Sequence, residues 1–193
     1  MKRSSILVIA ALCGAAPALH AQGGVAIKGG LSYGNVSNRG ILPGNLDTRT
    51  GFAVGLALVP GASLLGIGVE GLYAQRGVEG ANPPDTRKLD YVDVPVYLNV
   101  AIPTPGLAPF AYAGPQVSFE LRCRTGDGAC PASDRPKTTY AAVIGGGIRL
   151  GTSGTFSVEG RYVYGLTDLK LSTVTSSTSY KTRSFLILAG FTF

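Results

Sequence analysis

The stretch TFSVEGRYVYG, Thr155–Gly165, decides how this chain folds. Phe156, Val158, Gly160, Tyr162 and Tyr164 fall on one side of an alternating pattern, and Ser157, Glu159, Arg161, Val163 and Gly165 on the other. A period of two is the signature of a β-strand. One face is aromatic and aliphatic, while the other carries an acid and a base two residues apart. The same division recurs upstream. Phe52, Val54, Leu56 and Leu58 oppose Ala53, Gly55, Ala57 and Val59. Val92, Val94, Val96, Leu98 and Val100 oppose Tyr91, Asp93, Pro95, Tyr97 and Asn99. Val117, Phe119 and Leu121 oppose Gln116, Ser118, Glu120 and Arg122.

Extending this reading along the 193 residues predicts eight strands, at 24–33, 50–59, 66–76, 89–102, 109–121, 138–150, 155–165 and 182–193. The connections between them alternate long and short, beginning with a long one. The short ones are turn chemistry, as in Pro60-Gly61, Pro103-Thr104-Pro105-Gly106 and Gly151-Thr152-Ser153-Gly154. Strict alternation is what a barrel crossing a membrane requires, with turns on one side and loops on the other. The expected fold is all-β: an eight-stranded antiparallel up-and-down transmembrane β-barrel. An even strand number puts both ends of the barrel on the short-turn side, which in outer-membrane barrels is the periplasm.

The first residues read as a processing segment. Lys2 and Arg3 are basic, Ile6–Ala16 is apolar, and Leu19-His20-Ala21 offers a small residue for cleavage. Residues 1–21 are therefore expected to be a cleaved signal peptide, and 22–193 the barrel domain. Loss of Lys2 and Arg3 lowers the formal charge from +6 to +4. That balance is mild and spread out, so no basic stripe for nucleic acid is present. No run of about 20 apolar residues exists to form a spanning helix. Cys123 and Cys130 lie in a polar stretch of an exported chain, where a disulfide is expected. No metal site is expected, because two thiols without a nearby His do not complete a tetrahedral shell.

A soluble ligand-binding barrel in the periplasm shares the period of two. The signal segment, the alternation of connections and the terminal Phe193 favour the membrane. Tyr33, Phe52, Tyr140, Phe156, Phe185, Phe191 and Phe193 fall near strand ends, as interfacial girdles do. Parity then turns Lys28, Glu70, Arg149, Glu159 and Arg161 inward in the lower half, with Arg76, Asp93, Glu120 and Arg122 inward nearer the cell surface. An eight-stranded barrel is just wide enough for side chains to fill it. Opposite charges in so narrow a space must pair, because an unpaired buried charge is costly. Pro95 cannot donate to a ladder, so a bulge or bend is expected in the fourth strand.

Tyr91-Val92-Asp93-Val94-Pro95-Val96-Tyr97-Leu98 resembles the aromatic-x-acid-aliphatic-Pro-aliphatic stretch of the PorT-like outer-membrane β-barrel domain family, with Tyr91, Asp93 and Pro95 as its motif positions. Pro109–Pro115 is similar to the next strand of that family, and Val25–Ser32 to its first. The resemblance covers about Gly24 to Phe193. It implies a one-domain barrel of eight strands and supplies no reaction, substrate or cofactor. Leu188–Phe193 resembles the C-terminal signal read by the outer-membrane assembly machinery, which implies a role for Phe191 and Phe193.

His20 is the single histidine, and it lies in the expected leader. Barrel lipases, deacylases and omptin-like proteases use a histidine base, whose pKa lies near working pH. No catalytic residue and no cofactor are therefore expected. Gly145-Gly146-Gly147 lacks the Lys and helix of a phosphate cradle and is read as close strand packing. The Ser/Thr-rich stretch 172–179 is read as a loop. Arg122, Arg124, Arg135 and Lys137 make the third long connection basic, which reads first as a solvated loop and alternatively as a contact for anionic lipopolysaccharide groups. The expected role is structural or surface interaction in the outer membrane, among lipid and lipopolysaccharide. A narrow pore for small solutes is the alternative.

Overall fold

A computed structural model of the chain describes residues 23–37, 47–60, 64–79, 87–102, 104–125, 128–129, 137–151, 156–167, 169–173 and 176–193. The expected leader, residues 1–21, lies outside them. The strands are β1 (Gly24–Ser37), β2 (Asp47–Val59), β3 (Leu65–Glu79), β4 (Arg87–Ala101), β5 (Leu107–Thr125), β6 (Gly128–Ala129), β7 (Thr138–Leu150), β8 (Phe156–Gly165), β9 (Leu169–Thr173) and β10 (Ser176–Thr192). Eight of them form one antiparallel circuit, β1-β2-β3-β4-β5-β7-β8-β10, closed by pairing of β10 back to β1. Closure leaves none of these eight strands at a free edge of the wall, which is the condition for strands to sit in lipid. β6 pairs only with β5, and β9 only with β10.

Side-chain parity sets the two faces. Phe52, Val54, Leu56 and Leu58 are exposed on the outside, Leu56 at 57%. Ile27, Leu31, Ile67, Val96, Leu98, Val100, Ile144, Ile187 and Phe185 continue the belt around the barrel. Exposed apolar area on this scale is far beyond a soluble surface and fits the acyl chains of a bilayer. Inside, Ala26, Ala53, Ala57, Ala74 and Ala101 bring the walls close together. Close approach also explains the glycine run. A Cβ on Gly147 would stand 2.0 Å from the carbonyl oxygen of Val158 on the next strand.

The barrel strands extend further at their long-connection ends than the pattern predicts. β5 continues to Thr125 and β10 begins at Ser176, where loops were expected. The Ser/Thr-rich stretch is a ladder, with Ser176 opposite Thr173 and Tyr180 opposite Leu169. Beyond the apolar belt a strand needs no long apolar face, and here Leu169 and Leu171 are followed by Ser and Thr. Thr still favours the extended backbone.

Pro95 does not cause a bulge. It pairs with Gln116 on β5. On the β3 side the ladder runs from Val69–Val96 to Leu72–Asp93 in unchanged register, without pairs at Pro95 and Val94. The bulge between β4 and β5 lies higher, where Asp90 pairs with Arg122 but Tyr91 pairs with Glu120, and the β2–β3 ladder shifts register between Thr48 and Ala53. Leu121 is the extra residue, and parity reverses beyond it.

Candidate functional site

Strands β1, β3 and β8 each send ionisable side chains into the lower lumen, and they meet. Lys28 Nζ donates to Glu70 Oε1 at 2.6 Å and to Glu159 Oε2 at 2.8 Å. Arg161 Nη2 donates to Glu70 Oε2 at 2.5 Å and to Glu159 Oε1 at 2.8 Å. Two cations and two anions thus close a neutral ring, in which each carboxylate oxygen accepts from a cation. Two phenols complete it. Tyr97 donates to Glu70 Oε1 at 2.7 Å. Tyr112 donates to Glu159 Oε1 at 2.9 Å and accepts from Arg161 Nε at 2.8 Å. All six side chains are buried, with Arg161 at 1% exposure. Such a network is tolerable when buried because its members are mutually paired and bonded.

Local sequence explains how two tyrosines fit across so narrow a space. Their rings lie 4.5 Å apart between centroids. Gly68 stands opposite Tyr97, and Gly145 opposite Tyr112. A Cβ on Gly68 would come within 2.3 Å of the Tyr97 ring, and one on Gly145 within 2.4 Å of Tyr112. The glycines are floors for the phenols. Parity alone placed Tyr97 inside, but the role of both tyrosines was missed. The available signal was a glycine facing an inward tyrosine on each neighbouring strand. Tyr97→Phe is expected to destabilise the barrel by about 1.5–3 kcal/mol, the range for a hydrogen bond to a charged group. Urea unfolding in lipid vesicles measures it.

Buried apolar side chains that the sequence reading did not foresee surround and top the ring: Leu186 and Leu188 stand opposite Arg161 and Glu159, and Leu72, Val143 and Val163 lie beyond the ring toward the long connections. Above that, Arg76 pairs with Asp93 through Nη2 and Oδ2. The Arg76 guanidinium also lies 5.5 Å from the Tyr91 ring centroid. Tyr91, Asp93 and Pro95 all face inward and are buried. This upper layer is less completely bonded. Among the described residues, Ser32 Oγ, Arg76 Nε, Asp93 Oδ1 and Gln116 Oε1 are buried here without a hydrogen-bond partner, as is Asn99 Nδ2 below the ring.

The remaining expected residues fall elsewhere. Arg149 is half-buried below the ring, with Nη2 3.3 Å from Asn99 Oδ1 and its guanidinium 4.6 Å from the Phe110 ring centroid. Glu120 is half-buried, and its backbone N–H donates to the Lys137 carbonyl at 2.8 Å. Arg122 is not in the lumen: the Leu121 bulge turns it outward, where it is exposed. The same shift turns Cys123 inward, where it is buried and disulfide-bonded. Cys130 and Arg135 lie outside the described residues. Phe191 and Phe193 are exposed at the short-turn end, and Phe193 N–H donates to the Val25 carbonyl at 2.9 Å.

Comparison with known proteins places this architecture. The family model described as outer membrane protein beta-barrel domain matches residues 21–171. The outer membrane protein OprG of Pseudomonas aeruginosa is 12% identical, with 89% of this chain and 96% of that one covered and a TM-score of 0.51. The outer membrane enzyme PagL is also 12% identical, with 87% and 99% covered and a TM-score of 0.52. Likeness at these identities shows the fold. No curated protein sequence matches the chain.

Proposed function

Because the chain belongs to the outer membrane protein beta-barrel domain family, we propose that it is a closed barrel with a structural or surface-interaction role, its lumen plugged by paired charges. It lies in a bacterial outer membrane. The observation that carries the proposal is the neutral ring of Lys28, Glu70, Glu159 and Arg161, which Tyr97 and Tyr112 complete across the lower lumen. At the ring a solute meets bonded side chains with no spare carboxylate oxygen to exchange. The finer likeness to the PorT-like group, resting on Tyr91, Asp93 and Pro95, is part of the same proposal.

The reading is non-enzymatic. The chain has one histidine, His20, in the expected leader, so the barrel wall offers no His base for a serine nucleophile. No cofactor is invoked. The proposed surroundings are outer-membrane lipid and lipopolysaccharide, and the proposed folding partner is the assembly machinery, reading Phe191 and Phe193. Planar-bilayer recording of the purified protein tests the closed lumen. The wild type is expected to give no stable single-channel steps, and such steps would replace the plug with a narrow pore.

A further inference from the structure

The Leu121 bulge has a consequence on the outer wall. It turns both Arg122 and Arg124 to the outer face, where they are exposed. Across the ladder, Lys88 stands directly opposite Arg124, and Asp90 opposite Arg122. Lys88 is also exposed. Like charges directly opposite on one face repel one another, which destabilises an antiparallel pair unless a counter-charge joins them. Three cations share this patch with one acid.

Its position supplies the counter-charge. Immediately toward the membrane lie Val92, Phe119 and Leu121, the last apolar residues of the belt on these two strands. The cations begin where acyl chains give way to head groups, on the side of the long connections. Guanidinium forks match phosphate oxygens two at a time, and long Lys and Arg stems reach back toward a membrane interface. We propose that Lys88, Arg122 and Arg124 form a binding site for the phosphate groups of outer-leaflet lipid. The site rests on the membrane placement above and goes further, naming the group bound and the residues that bind it. Without the bulge, Arg122 and Arg124 would both turn toward the lumen and the patch would keep only Lys88.

Native mass spectrometry of the full barrel in detergent tests this, with bisphosphorylated lipid A and the same lipid stripped of both phosphates as probes. The wild type is expected to retain the phosphorylated lipid at least about tenfold more tightly, since each cation near an anionic surface contributes about fivefold. The triple variant Lys88→Gln, Arg122→Gln, Arg124→Gln is expected to lose that preference. Arg183→Gln is the control, an exposed cation on β10 across the barrel, and is expected to keep it. Inorganic phosphate is expected not to displace the lipid. Equal retention of the two lipids by the wild type overturns the proposal, as does a folded triple variant that behaves like the wild type. Equal loss in Arg183→Gln also overturns it, by showing a general charge effect. Heat-modifiable gel migration reports folding of each variant. If the triple variant does not fold, the wild-type lipid pair and Lys88→Gln alone decide. Single-channel steps in the wild type would overturn the closed lumen without touching this site.

Discussion

Arg161→Met is expected to destabilise the barrel by about 3–5 kcal/mol, the range for removing one partner of a buried ion pair. The guanidinium is 1% exposed and donates to Glu70, Glu159 and Tyr112. Without it, two buried carboxylates share the single Lys28 ammonium. Two buried anions facing one cation are poorly compensated in a medium of low dielectric. Adding Glu159→Gln to Arg161→Met restores neutrality and is expected to recover a large part of the loss. Arg76→Met is expected to cost less, because Arg76 keeps 10% side-chain exposure and its layer already leaves polar atoms unbonded. Urea unfolding in lipid vesicles gives all three values. A loss below about 1 kcal/mol for Arg161→Met would mean that the ring contributes little.

Val54→Arg is the second large effect, expected to destabilise by about 2–4 kcal/mol, as cations do near the bilayer midplane of a barrel wall. Val54 lies within the outward run Phe52, Val54, Leu56, Leu58 and is 45% exposed. In a soluble barrel the same change would place a charge in water at almost no cost. The sign and size therefore separate a lipid-facing wall from a wet one. The measurement is again urea unfolding, in vesicles of defined thickness.

Much of this was legible because a strand alternates strictly. Parity in Thr155–Gly165 turned Glu159 and Arg161 inward, and parity in β4 did the same for Asp93. What parity does not see is an inserted residue. Leu121 is an ordinary apolar residue, yet as a bulge it reverses everything beyond it. Arg122 therefore went to the outside and Cys123 to the inside. Nor does parity rank inward residues by height. Leu72 stands between Glu70 and the Arg76–Asp93 pair, while Leu186 and Leu188 stand opposite Arg161 and Glu159, placements set by the register of the closed sheet. The β9–β10 hairpin was hidden for a different reason. It stands above the bilayer, and its Ser and Thr residues carry no apolar face to mark a strand.

The chain contains no tryptophan, so a single introduced indole reports without background. Phe52→Trp and Phe185→Trp place it on the outer wall, and Tyr91→Trp places it in the lumen, each replacing one aromatic ring with another. In vesicles of lipid brominated along the acyl chain, fluorescence of the first two is expected to be strongly quenched and that of Tyr91→Trp little changed. Quenching of Tyr91→Trp equal to that of Phe52→Trp, or none at Phe52 and Phe185, would contradict a wall that meets lipid on the Phe52 face and encloses its charges.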